Sequence, residues 1–328
     1  MEKQILLSIC IPTYNRSKKL GRALAAWRKA FDYYKRDNVE LIVSDNCSTD
    51  ETPLVIKDYL KIPYFRYYRN SDNIGFNNNM FLLVDQYARG EYCWVIGDDD
   101  YVDHDCLEIL IPLLKGNIKY ISLNFRKYGS VKDYVSDTEK RRLRPVAIYR
   151  ELTFVDAIDK NSSIDNVLAT LMTTSVFLRT CFLEFPREIV SPNSSADFIS
   201  TFPNSYIMLT QFGNSQATCI NSPIFSIVEE KKEWTDKADL YFKVHLSQLY
   251  DHYCQIVGRE YMDNTKNGKM MKAIRAKYVV RDELFKGKIC WQTIKALFSL
   301  LSCSVLYIPA IKNIILNTFT KRNGTSGK

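Results

Sequence analysis

The chain has 328 residues, of which 46% are hydrophobic and 25% charged, with a formal net charge of +8. This composition is typical of a globular protein and excludes a disordered one, and the length allows one large domain or two smaller ones. The positive excess lies in residues 266–328, which hold 13 Lys and Arg against two acidic residues. The rest of the chain is slightly acidic, so we expect no nucleic-acid partner.

Nine cysteines are present and none forms a C-x-x-C pair, which indicates reduced, buried thiols. The opening residues, MEKQILLSICIPTYNR, contain too short an apolar run for a secretory signal. The uncharged, largely apolar run of residues 296–311 has 16 residues, fewer than the roughly 20 needed to span a bilayer. We therefore expect a cytoplasmic protein.

The first predicted elements alternate between strand and helix. ILLSICI (5–11) is a continuous apolar run, typical of a strand buried on both faces. The next stretch places Leu20, Leu24, Trp27 and Phe31 at spacings of three and four, which predicts a helix buried along that face.

The alternation continues through the first third of the chain. VELIVS (39–44) predicts a second buried strand, followed by the turn DNCSTDETP and a helix carrying Leu54, Ile56 and Leu60. YFRYY (64–68) is prone to form a strand, a helix follows NSDNIG, and EYCWVIG is the next strand. This order predicts an α/β fold with a mainly parallel sheet flanked by helices.

Three polar loops, TYNR, DNCSTD and GDDD, follow predicted strands. Ligands of parallel α/β sheets bind outside the carboxyl ends of the strands, so we expect these loops to meet at one binding edge. After about residue 124 the pattern loosens, and from about residue 237 it becomes helical and basic. We divide the chain into a nucleotide-binding half, an acceptor-binding half and a basic helical tail, at 1–125, 126–236 and 237–328.

The loop GDDD places Asp98, Asp99 and Asp100 directly after a predicted buried strand. If the segment is extended, Asp98 and Asp100 point to one side and can share a divalent cation. Mg²⁺ or Mn²⁺ is the expected ion, because both favour hard oxygen ligands. A metal bound to a diphosphate would offset the repulsion between the carboxylates. The alternative is a solvated acidic turn that caps the following helix.

Other enzymes with acidic loops fit this sequence less well. A phosphatase of the haloacid dehalogenase type needs D-x-D-x-T, but the residue at the threonine position is Val102. A nucleotidyltransferase needs a Gly-rich loop near the start, where this chain has PTYNR. Walker-A and G-x-G-x-x-G patterns are absent. A phosphoryl-transfer enzyme using the same metal would lack its nucleophile.

Four segments in order, LSICIPTYNR, LIVSDNCSTDET, NSDNIGFNNN and GEYCWVIGDDD, resemble family 2 glycosyltransferases of the GT-A fold. Among these, the resemblance is to abequosyltransferase-like enzymes of bacterial O-antigen and capsule synthesis. It is strong over about residues 4–125 and extends in outline over 126–230. It implies a nucleotide-sugar donor, Mn²⁺ or Mg²⁺, and inverting transfer to a hydroxyl of a lipid-linked or oligosaccharide acceptor.

The resemblance also implies roles for single residues of the donor site. Pro12, Thr13 and Tyr14 would lie along the nucleobase, with Tyr14 stacking on it. Asp45 would read the hydrogen-bonding edge of the base, or else only form a turn within DNCSTD. Arg16 would reach a phosphate, or else belong to the start of a helix.

The same resemblance gives each aspartate of the acidic loop a part. Asp100 would bind the metal directly. Asp98 would join it there or contact the ribose or a bound water, and Asp99 would assist either. Asn73 and Gly75 also match the subgroup, but the resemblance gives them no role.

Inverting transfer needs a carboxylate that accepts the proton of the acceptor hydroxyl. The family often places an acidic pair there, and this sequence departs from that pattern with SSADFIS. Asp197 is the candidate general base and Asp165 the reserve. Asp197 would otherwise only cap the next helix, and the chain would then be a non-catalytic sugar-nucleotide-binding or assembly protein.

The basic tail contains apolar residues at helical spacing, among them Trp291, Ile294 and Leu297, with lysines around them. This pattern is typical of a helix that lies in a membrane interface. We expect peripheral attachment to the anionic inner face of the cytoplasmic membrane, where a lipid-linked acceptor would also be found. The alternative is that these helices pack on the catalytic domain.

Overall fold

The structure is a computed structural model that describes residues 4–116, 118–137, 146–160, 171–192, 195–228, 237 and 239–285. The chain divides into two compact units, Met1–Thr235 and Asp236–Lys328. The first unit carries the sheet and its flanking helices, and the described part of the second is helical.

The strands of the first unit are β1 (Leu7–Thr13), β2 (Val39–Asp45), β3 (Phe65–Arg69), β4 (Tyr92–Val95), β5 (Asp100–Val102), β6 (Tyr120–Tyr128), β7 (Ile148–Thr153), β8 (Ser175–Leu178) and β9 (Gln216–Val228). Its helices are α1 (Ser17–Tyr34), α2 (Thr52–Lys57), α3 (Phe76–Leu82), α4 (Cys106–Leu110), α5 (Val131–Asp137), α6 (Phe154–Lys160), α7 (Arg179–Leu183), α8 (Phe198–Thr201) and α9 (Pro203–Phe212). A π-helical turn, Leu83–Tyr87, continues α3.

The strands form one sheet in the order β3-β2-β1-β4-β8-β6-β9-β5, with β7 paired to β9. Strands β1, β2, β3 and β4 run parallel to one another, whereas β8 runs antiparallel to both of its neighbours, β4 and β6. The sheet is thus mainly parallel on the side that the sequence predicted in detail. The expected division at residue 125 falls inside β6, so both halves share the sheet.

The core lies between α1 and the parallel strands. Every residue of β1 and of β2 is buried, because a helix covers each face of a parallel sheet. Leu20, Leu24, Trp27 and Phe31 are buried as their spacing predicts. The Trp27 ring meets the Trp94 ring of β4 edge-on at 5.4 Å, which joins the helix to the sheet.

Two expectations about these elements were wrong in detail. β1 begins and ends two residues later than predicted. Helix α2 ends at Lys57, and Leu54 and Leu60 are exposed. Only Ile56 of the expected stripe is buried. Leu54 is two residues earlier and so lies on the opposite side of the helix, and Leu60 lies beyond the end of the helix.

The described part of the second unit contains a π-helix (Asp239–His245), α10 (Leu246–Val257), α11 (Arg259–Asn264) and α12 (Lys266–Phe285). Tyr250 of α10 donates a hydrogen bond to Asp263 at 2.7 Å, and Arg275 of α12 pairs with Asp251 at 2.9 Å. None of the helices in the described ranges is long and apolar enough to cross a bilayer. The expected interfacial stripe, from Trp291 on, lies outside those ranges.

Candidate active site

The loops after β1, β2 and β4 meet at the carboxyl edge of the sheet. Thr13 ends β1 and lies in register with Asp45 at the end of β2. From the other side, the loop after β4 brings Asp98 to Thr13, whose hydroxyl donates a hydrogen bond to the Asp98 carboxylate at 2.7 Å. The convergence expected for TYNR, DNCSTD and GDDD is therefore present.

The three aspartates do not form the extended segment that the sequence suggested. Asp98 and Asp99 form a turn, and β5 begins at Asp100. The Asp100 carboxylate folds back and accepts a hydrogen bond from the Gly97 amide at 3.1 Å. Asp98 and Asp100 are each only 3% exposed, so the acidic loop is not the solvated turn of the alternative interpretation.

Two cations at the start of α1 face this acidic loop. The Arg16 guanidinium lies 3.0 Å from the Asp98 carboxylate and 3.4 Å from that of Asp99. Lys19, three residues further along the chain, lies 3.3 Å from Asp99. Neither pairing was recognised from the sequence, although residues three apart on a helix share a face. These cations offset part of the repulsion between the adjacent carboxylates.

The compensation of the buried charge is incomplete. Burial raises the pKa of Asp98 to about 6, although the charge of Arg16 lowers it. Burial, and then the charges of Asp99 and Asp98, raise the pKa of Asp100 well above its ordinary range. These raised pKa values mean that burial and the neighbouring carboxylates disfavour the ionised forms more than the nearby cations and hydrogen bonds favour them.

A divalent cation would supply positive charge, and the oxygen ligands suit Mg²⁺ or Mn²⁺. Among the described residues, no three His, Cys, Asp or Glu side chains converge as a metal site would need. The ion would therefore be held by one or two of the aspartates and take its other ligands from a substrate or water, which is usual for Mg²⁺. The assignment of Asp98 and Asp100 as metal ligands stays a prediction.

The turn after β1 presents one aromatic ring to solvent. Pro12 and Thr13 are buried, whereas Tyr14 is 42% exposed. Asn15 adopts a left-handed backbone conformation with φ 53°, and its side chain accepts a hydrogen bond from the Thr49 amide at 2.7 Å. The turn is thus braced against the loop after β2 and leaves the Tyr14 ring accessible for stacking.

Asp45 is fully buried, and both of its carboxylate oxygens are engaged. One accepts a hydrogen bond from the Ser48 amide at 2.8 Å, which is the turn of the alternative interpretation. The other accepts one from the Tyr67 hydroxyl at 2.8 Å and lies 3.6 Å from Arg69. Contact with a nucleobase would require Tyr67 or Arg69 to move, and this role of Asp45 stays a prediction.

The structure gives Asn73 and Gly75 a local role. The Asn73 side-chain oxygen accepts hydrogen bonds from the Asn46 side chain at 2.7 Å and from the Gly75 amide at 3.0 Å. Gly75 has φ +82°, a conformation that favours glycine. Together they shape the loop before α3.

Asp197 caps α8, and its carboxylate accepts a hydrogen bond from the Ser200 amide at 2.7 Å. The cap was foreseen as an alternative to catalysis, but the two roles are compatible because Asp197 is partly exposed. Its role as general base stays a prediction. The reserve candidate, Asp165, lies outside the described residues.

A mainly parallel sheet flanked by helices, with polar loops meeting at its carboxyl edge, is the architecture of α/β proteins of the GT-A type. Comparison with known proteins agrees. Residues 8–168 match the model of the family described as glycosyl transferase family 2. The chain is 39% identical to the abequosyltransferase RfbV of Salmonella typhimurium over 109 residues. This aligned stretch covers 32% of this chain and 32% of that protein.

Solved structures of the same fold cover most of the chain. Staphylococcus aureus TarS 1-349 in complex with UDP-GlcNAc has a TM-score of 0.54 at 16% identity, over 89% of this chain and 80% of that one. A mannosyltransferase from Pyrobaculum calidifontis in complex with GDP-Man and Mn²⁺ has a TM-score of 0.53 at 15% identity, over 100% and 89%.

Residues 8–168, just under half of the chain, belong to glycosyltransferase family 2, and the chain has the GT-A fold. The sequence match spans about a third of the length of the abequosyltransferase. The match to the family model stops at residue 168, before the loop that carries Asp197.

The Tyr67→Phe variant tests the support of the buried Asp45 carboxylate. We expect it to lower the free energy of unfolding by about 2 kcal/mol, because a hydrogen bond to a buried charged group is lost. The measurement is the urea unfolding midpoint. Tyr33→Phe is the matched control, since Tyr33 is 53% exposed and keeps its ring contact with His104. Equal midpoints for the two variants would contradict the assignment.

Proposed function

We propose that the protein is a glycosyltransferase that moves a sugar from a nucleoside diphosphate sugar to a hydroxyl of a bacterial surface glycan. The observation that carries the proposal is the buried acidic loop at the carboxyl edge, facing Arg16 and Lys19. Family membership and the likeness to an abequosyltransferase support the reaction class.

The residues of this edge suit a nucleoside diphosphate. Tyr14 offers an accessible ring for the base, since stacking on an aromatic face needs only exposed surface. Arg16 and Lys19 stand at the start of α1, where cations and backbone amides favour phosphate groups. Asp98 and Asp100 would hold Mn²⁺ or Mg²⁺. The bound ion would stabilise the negative charge of the departing diphosphate.

Asp197 would accept the proton of the acceptor hydroxyl as that oxygen attacks the anomeric carbon, and the bond to the diphosphate would break on the opposite side. This is inverting transfer with one general base. Asp197 is partly exposed, and its carboxylate accepts a hydrogen bond from the Ser200 amide at the start of α8. A non-catalytic sugar-nucleotide-binding protein is the second candidate function, and the turnover of the wild-type protein in the assay below distinguishes the two.

We extend the proposal to the acceptor and its location. A lipid-linked glycan at the inner face of the cytoplasmic membrane would suit a chain whose last 63 residues carry 13 basic groups and only two acidic ones. Attachment through these residues would confine enzyme and acceptor to one surface. The support is the sequence of the tail alone.

The Asp100→Ala variant tests the metal assignment. We expect it to abolish Mn²⁺-dependent binding of the nucleoside diphosphate, because the ion loses a protein ligand. Isothermal titration with UDP, GDP, CDP and dTDP, with and without Mn²⁺, measures this after a thermal-shift screen has chosen the nucleotide. Asp105→Ala, five residues away in the chain, is the matched control. Unchanged metal dependence in the Asp100 variant would show that the ion is bound elsewhere.

The Asp197→Asn variant tests the general base. Asparagine is also a good N-cap, so the helix start is kept and only the carboxylate is lost. We expect unchanged affinity for the nucleoside diphosphate and turnover lower by roughly 10²–10⁴-fold. Turnover is measured as nucleoside diphosphate release from the matching nucleotide sugar in the presence of acceptor. Near-normal turnover would move the base to another residue, and Asp165 would be tested next.

The tail is tested in the full chain by Lys286→Gln, Lys288→Gln and Lys295→Gln together. Each lysine near an anionic surface contributes about 1 kcal/mol, so we expect binding to phosphatidylserine vesicles at low salt to weaken by about 10²-fold. Co-sedimentation with the vesicles measures it.

The matched control removes three exposed lysines of the first unit: Lys29→Gln, Lys57→Gln and Lys61→Gln. This triple variant has the same net charge as the tail variant. Equal loss of vesicle binding in both would mean that overall charge, and not the tail, attracts the protein to the membrane.

A further inference from the structure

The segment NSDNIGFNNN contains asparagines to which the proposed reaction gives no part. One of them, Asn79, fixes α3 to the carboxyl edge of the sheet, where the nucleotide sugar donor would bind and which we call the donor edge. The Ser44 hydroxyl donates a hydrogen bond to the Asn79 side-chain oxygen at 2.6 Å, and the Asn79 amide donates one to the Ser44 carbonyl at 3.0 Å. Ser44 directly precedes Asp45, so α3 is fixed beside the loop after β2.

A second asparagine, Asn77, points from α3 in another direction. Residues two apart on a helix are separated by about 200° around its axis, so Asn77 and Asn79 lie on opposite sides of α3. The Asn77 side-chain amide donates hydrogen bonds to the carbonyl of Ser200 at 2.9 Å and to that of Ser191 at 3.3 Å. Asn77 is only 2% exposed, so water does not compete for these bonds.

Ser200 connects Asn77 to the candidate base. It is fully buried, and its hydroxyl accepts a hydrogen bond from the Ser191 amide at 2.9 Å. Its own amide donates to the Asp197 carboxylate at 2.7 Å. The loop of residues 191–200 is therefore closed on itself at Ser200 and anchored to α3 through Asn77.

We propose that Asn77 is a positioning residue, which holds Asp197 at a fixed place relative to the donor edge. This inference rests on the proposed function, in which Asp197 is the general base. The two anchors of α3 explain how: Asn79 holds the helix to β2, and Asn77 holds the loop of Asp197 to the helix. Only a neutral amide donates to two carbonyls from this buried place without adding charge beside Asp197.

The effect of losing this anchor follows from the geometry that proton transfer requires. A general base acts within hydrogen-bond reach of the proton it accepts, and a displacement of about 1 Å can lower the rate by about 10²-fold. Removing the Asn77 amide releases the Ser200 carbonyl, and this loosens the residue whose own amide holds the Asp197 carboxylate. The donor loops keep their contacts, since none of them is made by Asn77.

The test compares Asn77→Ala with Asn78→Ala. Asn78 is the matched control because it lies in the same helix and donates only to the nearby Ile74 carbonyl, at 2.9 Å. For Asn77→Ala we expect kcat lower by about 10²-fold and unchanged affinity for the nucleoside diphosphate with Mn²⁺. Asn78→Ala should stay near wild type. Asn77→Ser, which keeps one donor, is the milder variant if the alanine variant is poorly folded, and its kcat should be intermediate.

A double variant separates positioning from a general structural defect. If Asn77 acts through Asp197, Asn77→Ala combined with Asp197→Asn should turn over no more slowly than Asp197→Asn alone, because residues that act as a unit are not additive. A further loss of about 10²-fold in the double variant would contradict the inference.

Hydrogen exchange gives a readout that does not depend on activity. In Asn77→Ala we expect faster exchange of the amides of residues 197–201, and no change there in Asn78→Ala. Unchanged exchange in Asn77→Ala would overturn the inference even if Asp197 proves to be the base. If the wild-type protein transfers no sugar, the proposed function fails, and the exchange experiment still decides whether Asn77 anchors the loop.

Discussion

Two carboxylates, those of Asp98 and Asp100, are buried at the point where β4 leaves the sheet. Unit charges about 4 Å apart near a protein surface repel by about 4 kcal/mol, so cations and hydrogen-bond donors on neighbouring elements must stabilise these carboxylates. Arg16 pairs with Asp98 from the start of α1, Lys19 pairs with the adjacent Asp99, and Thr13 donates a hydrogen bond to Asp98. The start of α1, the end of β1 and the acidic loop are thereby held together.

The parallel half of the fold was predictable because its rules are local. A continuous apolar run indicates a strand covered on both faces, and the spacing of Leu20, Leu24, Trp27 and Phe31 indicates the buried side of α1. The meeting of the polar loops followed from topology, since parallel strands end at one edge. Much of the acidic site could therefore be foreseen from residue order alone.

The contacts that complete the site could not be foreseen in the same way. Arg16 and Asp98 are 82 residues apart, and Asn77 and Ser200 are 123 apart; periodicity shows which face of an element is buried, and not what covers it. Strand β9 was missed because Asn221, Ser222 and Pro223 interrupt its apolar pattern. It pairs with β6 across a shift in register, where the Asn124 side chain bonds the Asn221 carbonyl at 2.7 Å.

Four hydrogen bonds hold the two described ends of the loop of residues 191–200, and they join main-chain groups of Ser191 and Ser200 to the side chains of Asn77, Asp197 and Ser200. The exposed side chains of Pro192 and Ala196 take no part in these four bonds. Under the proposed function, such outward side chains can vary during evolution, and with them the preferred acceptor, while the Asp197 carboxylate keeps its place. Under the same proposal, the loop would be a suitable place to exchange segments between related enzymes when a new acceptor preference is wanted.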